Sequence, residues 1–469
     1  MKEPRGWILP EPPEHGSRVL LLNVTAVCLF FLLFCLTFLD NSRFPRVVLT
    51  GIPLLVGVWG LRQGWFPVEQ VRPFVKPVAA LYVVLVLSSA LSIDPAFSFK
   101  TFVNEHLWFP MFFLFVGLWA VTPARQTVLL RGLMVAGGAS AALGIFFYFF
   151  AEQLEHTRWV RRVEYFIFEA FDEDGEKYYR ARGMLWSYTR SALVFMMAFP
   201  ATVALGFRAW RTRRTLELAL AVAVALVSVW FLLLTKSRGV WIGVAVAAAL
   251  TWLWMRGTWL VPLAGFVVLG VLLAALPAQR SRAMTFFDHL SDPDLMTSGR
   301  LDLWQQGIDP IRENPLLGVG YGGDIFQSEA AVERYPLIKH DRPPGALESD
   351  DLQSDLHSMY FQTLAEVGIV GSLVYAWLLA LLLRAGWRAV RVERDSGHEQ
   401  FPAVIPVFAA LVSFLLIGVV YYYNEEHVAQ MLWGMSGVLV AAGAAAAARE
   451  VEEEQAAAGP LGVARGEGA

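Results

Sequence analysis

Residues 216–256 read LELALAVAVALVSVWFLLLTKSRGVWIGVAVAAALTWLWMR, and they decide what kind of chain this is. Two apolar runs, 216–235 and 239–256, flank the short link Lys236-Ser237-Arg238, and within their middle turns neither carries a charge, Glu217 and Arg256 standing at their far ends. At a rise of about 1.5 Å per residue each run approaches the thickness of a hydrocarbon layer of about 30 Å, so both are predicted to cross a membrane. Working outward, further apolar segments fall at 19–39, 47–61, 74–93, 102–121, 128–151, 189–207, 258–276, 357–384, 402–423 and 427–447. The expected fold is therefore an all-α polytopic membrane protein of about 12 transmembrane helices, in contact with the lipid bilayer along most of its length.

Composition agrees. The 469 residues are 56% hydrophobic and 17% charged, with a mean hydropathy of +0.49. The net charge of -3 is close to neutral, and no basic block or patterned stripe suggests nucleic acid as a partner. Cys28 and Cys35 lie seven residues apart on one predicted helix, about 10 Å along its axis, too far to pair. Two cysteines supply no framework for a disulfide scaffold or a Cys-bound metal.

The distribution of Lys and Arg orients the chain. With a cytoplasmic N-terminus, the inner segments hold nineteen basic residues and the short outer loops hold five, Arg43, Arg46, Lys100, Lys236 and Arg238. The positive-inside rule then places both termini in the cytoplasm. Residues 1–18 form a cytoplasmic segment, and the apolar stretch after them lacks a small-residue cleavage site, so it reads as a retained first span and not as a signal peptide. Residues 19–276 hold nine spans, 357–447 three more, and 448–469 an acidic tail expected to be disordered.

Two long loops fall outside. The first, 152–190, mixes Arg158, Arg161, Arg162, Arg180 and Arg182 with Asp172, Glu173, Asp174 and many aromatics, and its start, 155–171, reads either as an amphipathic surface helix or as solvated loop. The second, 277–356, is a large, partly helical periplasmic loop between the ninth and tenth helices. Loops this long are usually functional or disordered. Its apolar anchors Leu301, Leu303, Trp304, Ile308, Ile311, Leu316 and Leu317 and its turn Gly318-Val319-Gly320-Tyr321-Gly322-Gly323 predict that it folds, as a cap over a site at the membrane surface.

Three places on that face hold residues suited to chemistry. Ser237 can cap the helix that follows it, and Arg238 adds a full charge to the positive helix end, which makes an anion site. Read alone, Arg238 is equally an arginine snorkelling to the headgroups. Arg300, in Ser298-Gly299-Arg300-Leu301-Asp302-Leu303-Trp304, has the fork of N–H groups that grips phosphate oxygens, or it pairs with Asp302. His357, expected on the first turn of the tenth helix, feels a positive helix end that favours neutral imidazole, a form able to take a proton. A histidine at a helix start is also commonly structural.

Taken together the motifs resemble the O-antigen ligase and polymerase superfamily. Ser237-Arg238-Gly239 opens a helix, Gly299-Arg300 precedes Trp304, Pro315-Leu316-Leu317-Gly318-Val319-Gly320 follows, and His357 comes before Glu366-Val367-Gly368-Ile369-Val370-Gly371. The resemblance spans roughly residues 230–385. Two positions depart from it: Ser358 stands where the family often has Asn, and Tyr188-Thr189 where Pro-Asn would follow the Arg180-Ala181-Arg182-Gly183 run.

The resemblance implies an inverting glycosyltransferase of the bacterial inner membrane, working on its periplasmic face without metal or other cofactor. Its donor would be an undecaprenyl-pyrophosphate-linked glycan and its acceptor a lipid A-core hydroxyl or a growing polysaccharide, as in lipopolysaccharide biosynthesis. Arg238 and Arg300 would hold the pyrophosphate, with Lys236, Arg180 and Arg182 beside the carrier, and His357 would deprotonate the acceptor. Asp292-Pro293-Asp294 and Asp172-Glu173-Asp174 are the acidic pairs a metal-dependent alternative would use. A polymerase of the same superfamily is the nearest alternative function. A flippase of lipid-linked glycans fits less well, because transporters place ionisable groups near the bilayer midplane.

Overall fold

A computed structural model describes residues 16–38, 43–154, 167–171, 177–185, 187–258, 260, 265, 300–337, 355–395, 402–421 and 426–458. The apolar segments become helices α1 (Gly16–Phe38), α2 (Arg43–Arg62), α3 (Arg72–Ala90), α4 (Pro95–Thr101) running through a π-turn into α5 (Trp108–Trp119), α6 (Pro123–Leu154), α7 (Tyr188–Arg211), α8 (Thr215–Thr235) and α9 (Arg238–Trp254). Among its described residues the second long loop contributes three short helices, α10 (Arg300–Gln306), α11 (Ile308–Glu313) and α12 (Glu329–Arg334). The chain then re-enters the bundle as α13 (Met359–Asp395), α14 (Val404–Ile417) and α15 (Glu426–Ala458).

Among the described residues, seven helical stretches are long and apolar enough to cross a membrane, and four shorter apolar ones accompany them. The expected span 258–276 and loop residues 277–299 and 338–354 lie outside the described residues apart from single positions, as do both acidic pairs. The helices are apolar nearly all round, as lipid demands. Leu55, Leu226, Ile242 and Leu373 face outward, while Phe113, Trp119, Phe195, Phe231 and Phe414 are fully buried. With lipid as solvent, close packing holds such a bundle together more than the hydrophobic effect does. Accordingly α5 lies along α15, α9 along α7 and α14, and α13 along α3 and α15.

Three local expectations are corrected. Residues 167–171 are not helical: they form strand β1 (Ile167–Phe171), antiparallel to β2 (Lys177–Ala181), with Phe168 opposite Arg180. The fold is thus helical with one small hairpin in the first long loop, residues 155–166 and 172–176 lying outside the described residues. His357 stands two residues before α13, not in its first turn. And α15 continues to Ala458, past the expected start of a disordered tail, with Glu450 bridging to Arg388 and Arg391 on α13.

The loop is tied to the bundle by a break in α13. At Gly368 the backbone takes φ 63°, ψ -167°, a region open to glycine and almost nothing else, and the helical ladder is interrupted. The freed carbonyls of Ala365 and Glu366 accept from Val319 N (2.8 Å) and Gly320 N (3.2 Å). On the far side of the break, Ile369 N and Val370 N donate to Pro315 O (2.8 Å) and Leu316 O (3.2 Å). Ser88 and Ser92 from the end of α3 complete the junction, bonding to Glu366 O (2.8 Å) and Val319 O (3.1 Å). A helix can be broken inside a membrane protein only where its backbone groups find such partners. The Pro-Leu-Leu-Gly-Val-Gly and Glu-x-Gly-x-x-Gly motifs are two halves of one joint.

Candidate functional site

The segment before α13, the turn between α8 and α9, the connection after α14 and the start of α10 meet at one place in the bundle. Its centre is Tyr421, on the connection between α14 and α15. The Tyr421 hydroxyl lies 3.2 Å from Ser237 Oγ, and its ring lies beneath the Arg300 guanidinium with Cζ 5.1 Å from the centroid. Its carbonyl accepts from Met359 N at 3.0 Å, two residues beyond His357. Ser237, expected to cap α9, makes no side-chain cap bond and is turned to Tyr421 instead. Lys236 and Ser237 are buried, and Lys236 adopts a left-handed backbone that closes α8, so the link is a tight turn with Arg238 exposed at the head of α9.

Arg300 owes its place to Trp304. One turn further along α10, the Trp304 ring stacks on Phe361 at 5.3 Å with planes 17° apart, and its Nε1–H donates to Leu356 O at 3.0 Å. That anchor fixes α10 against the segment carrying His357 and sets Arg300 over Tyr421. Among the described residues Arg300 Nε–H finds no protein acceptor.

His357 sits in the left-handed region at φ 49°, an uncommon conformation for a side chain of its size. Asp355 holds it there: one carboxylate oxygen lies 2.6 Å from the His357 backbone N and 2.7 Å from Nδ1. Asp355 is nearly buried, with 12% of its side chain exposed against 42% for His357, so the imidazole reaches outward from a fixed carboxylate. An ionised carboxylate only accepts, which puts the proton on Nδ1 and leaves the Nε2 lone pair available. The segment around it is fastened by Leu356 N to Gln362 Oε1 (2.9 Å) and Met359 N to Gly418 O (2.8 Å).

A second group extends the same face. Asp324 is exposed at its surface, with protein packed close around its carboxyl. That crowding pushes its carboxyl above the usual range; Arg190, at the start of α7, pulls it down and the Asp355 charge pushes it up. Arg180 and Arg182 flank this region from β2 and the chain just after it. The Arg180 guanidinium lies 4.7 Å over the Tyr188 ring, and Ser191 Oγ donates to Arg182 O at 2.5 Å. Burial lowers the Arg182 guanidinium from its usual range, with Tyr188 opposing. Tyr421 therefore joins Ser237, Arg300 and Met359, the neighbours or members of the segments that carry Lys236, Arg238, Arg300 and His357, while Arg180 and Arg182 contact Tyr188 and Ser191 at the start of α7. Asp355, Asp324, Arg190 and Tyr421 escaped the sequence reading. Only Asp355 left a signal, as an acidic residue two positions before the histidine.

Chemically, the cluster can hold an anion through guanidinium N–H groups and take a proton at Nε2. The fold defines a multi-pass membrane protein with a cation-bearing site at one end of its helical bundle. Residues 223–376, about a third of the chain, match the O-antigen ligase family model, and this matched region is similar to that family. The matched region contains Arg238, Arg300 and His357; Tyr421, Arg180 and Arg182 lie beyond it. No curated protein matches the chain.

Proposed function

We propose that the protein is an O-antigen ligase-like glycosyltransferase that moves a glycan from undecaprenyl pyrophosphate to a hydroxyl of lipid A-core or a similar acceptor. Arg238 and Arg300 hold the diphosphate and offset the charge that builds as it leaves. The acceptor oxygen attacks the anomeric carbon from the side opposite the diphosphate, the carbon–oxygen bond to phosphate breaks, and the configuration inverts. His357 Nε2 takes the proton of the acceptor hydroxyl. Asp355 keeps the proton on Nδ1 and offsets the imidazolium charge that results. Both leaving group and base are served by side chains, so the reaction needs no metal.

The observation that supports this reading is the meeting at Tyr421 of the three chain segments that carry Arg238, Arg300 and His357. The excess of basic residues at the opposite ends of the helices supports a periplasmic site with both termini cytoplasmic. In the test, Arg238→Ala, Arg300→Ala and His357→Ala are each expected to abolish glycan transfer while the protein still inserts in the membrane. Full activity in any two removes the site. Deleting the gene and examining the carrier separates the two functions in the family: finished long chains left on it mean a ligase, single repeat units a polymerase.

A further inference from the structure

We infer that Tyr421 is the positioning residue that assembles the cation site, a role that rests on the reading of Arg238 and Arg300 as the diphosphate holders. Four contacts made by this one residue join segments far apart in sequence. Its hydroxyl meets Ser237 Oγ, next to Arg238. Its ring face lies under the Arg300 guanidinium. Its backbone carbonyl receives Met359 N, beside His357.

The fourth contact shows how closely the ring is seated. A Cβ built on Gly239 would collide with Tyr421 Cε2 and stand 3.0 Å from its hydroxyl oxygen, so this position at the head of α9 must lack a side chain for the ring to lie where it does. The Gly239 of the Ser-Arg-Gly triplet is thus explained by packing against Tyr421.

The geometry makes physical sense for a phosphate clamp. A guanidinium on an aromatic face is attracted by the ring without spending its edge N–H groups, which stay in the guanidinium plane for an anion. A carboxylate partner in place of the ring would compete with the diphosphate for those donors. An interfacial aromatic that merely marks the headgroup level needs none of these four contacts.

The test uses the full-length protein in lipid nanodiscs with a glycan-polyprenyl-pyrophosphate donor, reading donor KM and kcat separately. Tyr421→Phe keeps the ring and the backbone bond, and donor KM is expected within about threefold of the parent. Tyr421→Leu removes the face under Arg300, and Gly239→Ala displaces the ring without touching it chemically. Both are expected to raise donor KM by about tenfold, the scale of a desolvated cation–π contact, with a smaller change in kcat. Adding Tyr421→Leu to Arg300→Ala is expected to cost little more than Arg300→Ala alone, because the two act as one unit. Should Tyr421→Leu fail to fold, Tyr421→Met makes the same comparison with a larger apolar side chain.

Unchanged donor KM in folded Tyr421→Leu or Tyr421→Met, or equal damage from Tyr421→Phe, overturns the positioning role. If Arg300→Ala itself leaves donor KM unchanged, the diphosphate reading fails first. If Arg300→Ala raises KM and the Tyr421 variants do not, only the inference made here fails.

Discussion

Gly368→Ala is the substitution that bears hardest on how the loop is held over the site. A side chain there is opposed twice. The backbone conformation, φ 63° and ψ -167°, costs a non-glycine residue roughly 1–3 kcal/mol. The added methyl would also collide with the carbonyl carbon and oxygen of Leu316, which are backbone atoms and cannot rotate aside. Residues 315–320 must then back away, and four hydrogen bonds across the break are at stake, each worth about 1 kcal/mol net. Strain plus part of that ladder gives a loss of about 3–6 kcal/mol, large against the 5–15 kcal/mol typical of a folded domain.

Purified protein in detergent, melted with a tryptophan or thiol-dye readout, is expected to lose at least about 5 °C. Gly51→Ala is the control. It lies within α2, no atom comes within 4 Å of the added methyl, and it is expected to be neutral or to stabilise by up to about 1 kcal/mol. A Gly368→Ala protein melting within a degree of the parent would refute the joint between loop and broken helix.

Three further outcomes follow from the site. Asp355→Asn leaves the backbone held less firmly and no longer dictates the tautomer, so turnover is expected to fall by about 100-fold with donor KM little changed, measured in the transfer assay. A fall confined to KM would place Asp355 outside proton transfer. Asp324 is an acid whose folded carboxyl is raised, so its charge weakens the fold at neutral pH and the penalty disappears as pH falls below the ordinary carboxyl range. Asp324→Asn is therefore expected to raise the melting temperature at pH 7 and to leave it unchanged near pH 3, as scanning over that pH range would detect. Transfer is expected to persist in excess chelator; loss restored by magnesium or manganese would assign the chemistry to acidic residues in place of Arg238 and Arg300.

Much of the bundle was legible because lipid leaves a chain few choices. A mostly apolar run of 19 residues such as 189–207 can do little but become a helix of spanning length, and α7 covers it with a few residues to spare. The short turn 235–238 was legible for the same reason, since two apolar runs charged only at their far ends and separated by three residues must reverse at the surface. The break in α13 was not. Glu366 to Gly371 sits inside a continuous apolar pattern, and only the backbone groups of a distant loop reveal that Gly368 ends one helical stretch and starts another. His357 was displaced from its helix by a left-handed turn whose cause, Asp355, depends on one short contact. Ser237 looked like a cap because its position is right for one, but a tyrosine 184 residues away takes its hydroxyl. Residues of this kind are chosen by tertiary neighbours, and no local pattern carries them.

Binding of polyprenyl pyrophosphate and polyprenyl monophosphate to the purified protein, compared side by side in nanodiscs, goes straight to the claim that guanidinium groups at this face clasp a diphosphate. The pyrophosphate is expected to bind at least about tenfold more tightly, and that preference is expected to collapse in Arg300→Ala and Arg238→Ala while surviving in His357→Ala. Equal affinity for the two lipids in the parent protein, or a preference untouched by loss of either arginine, would contradict it.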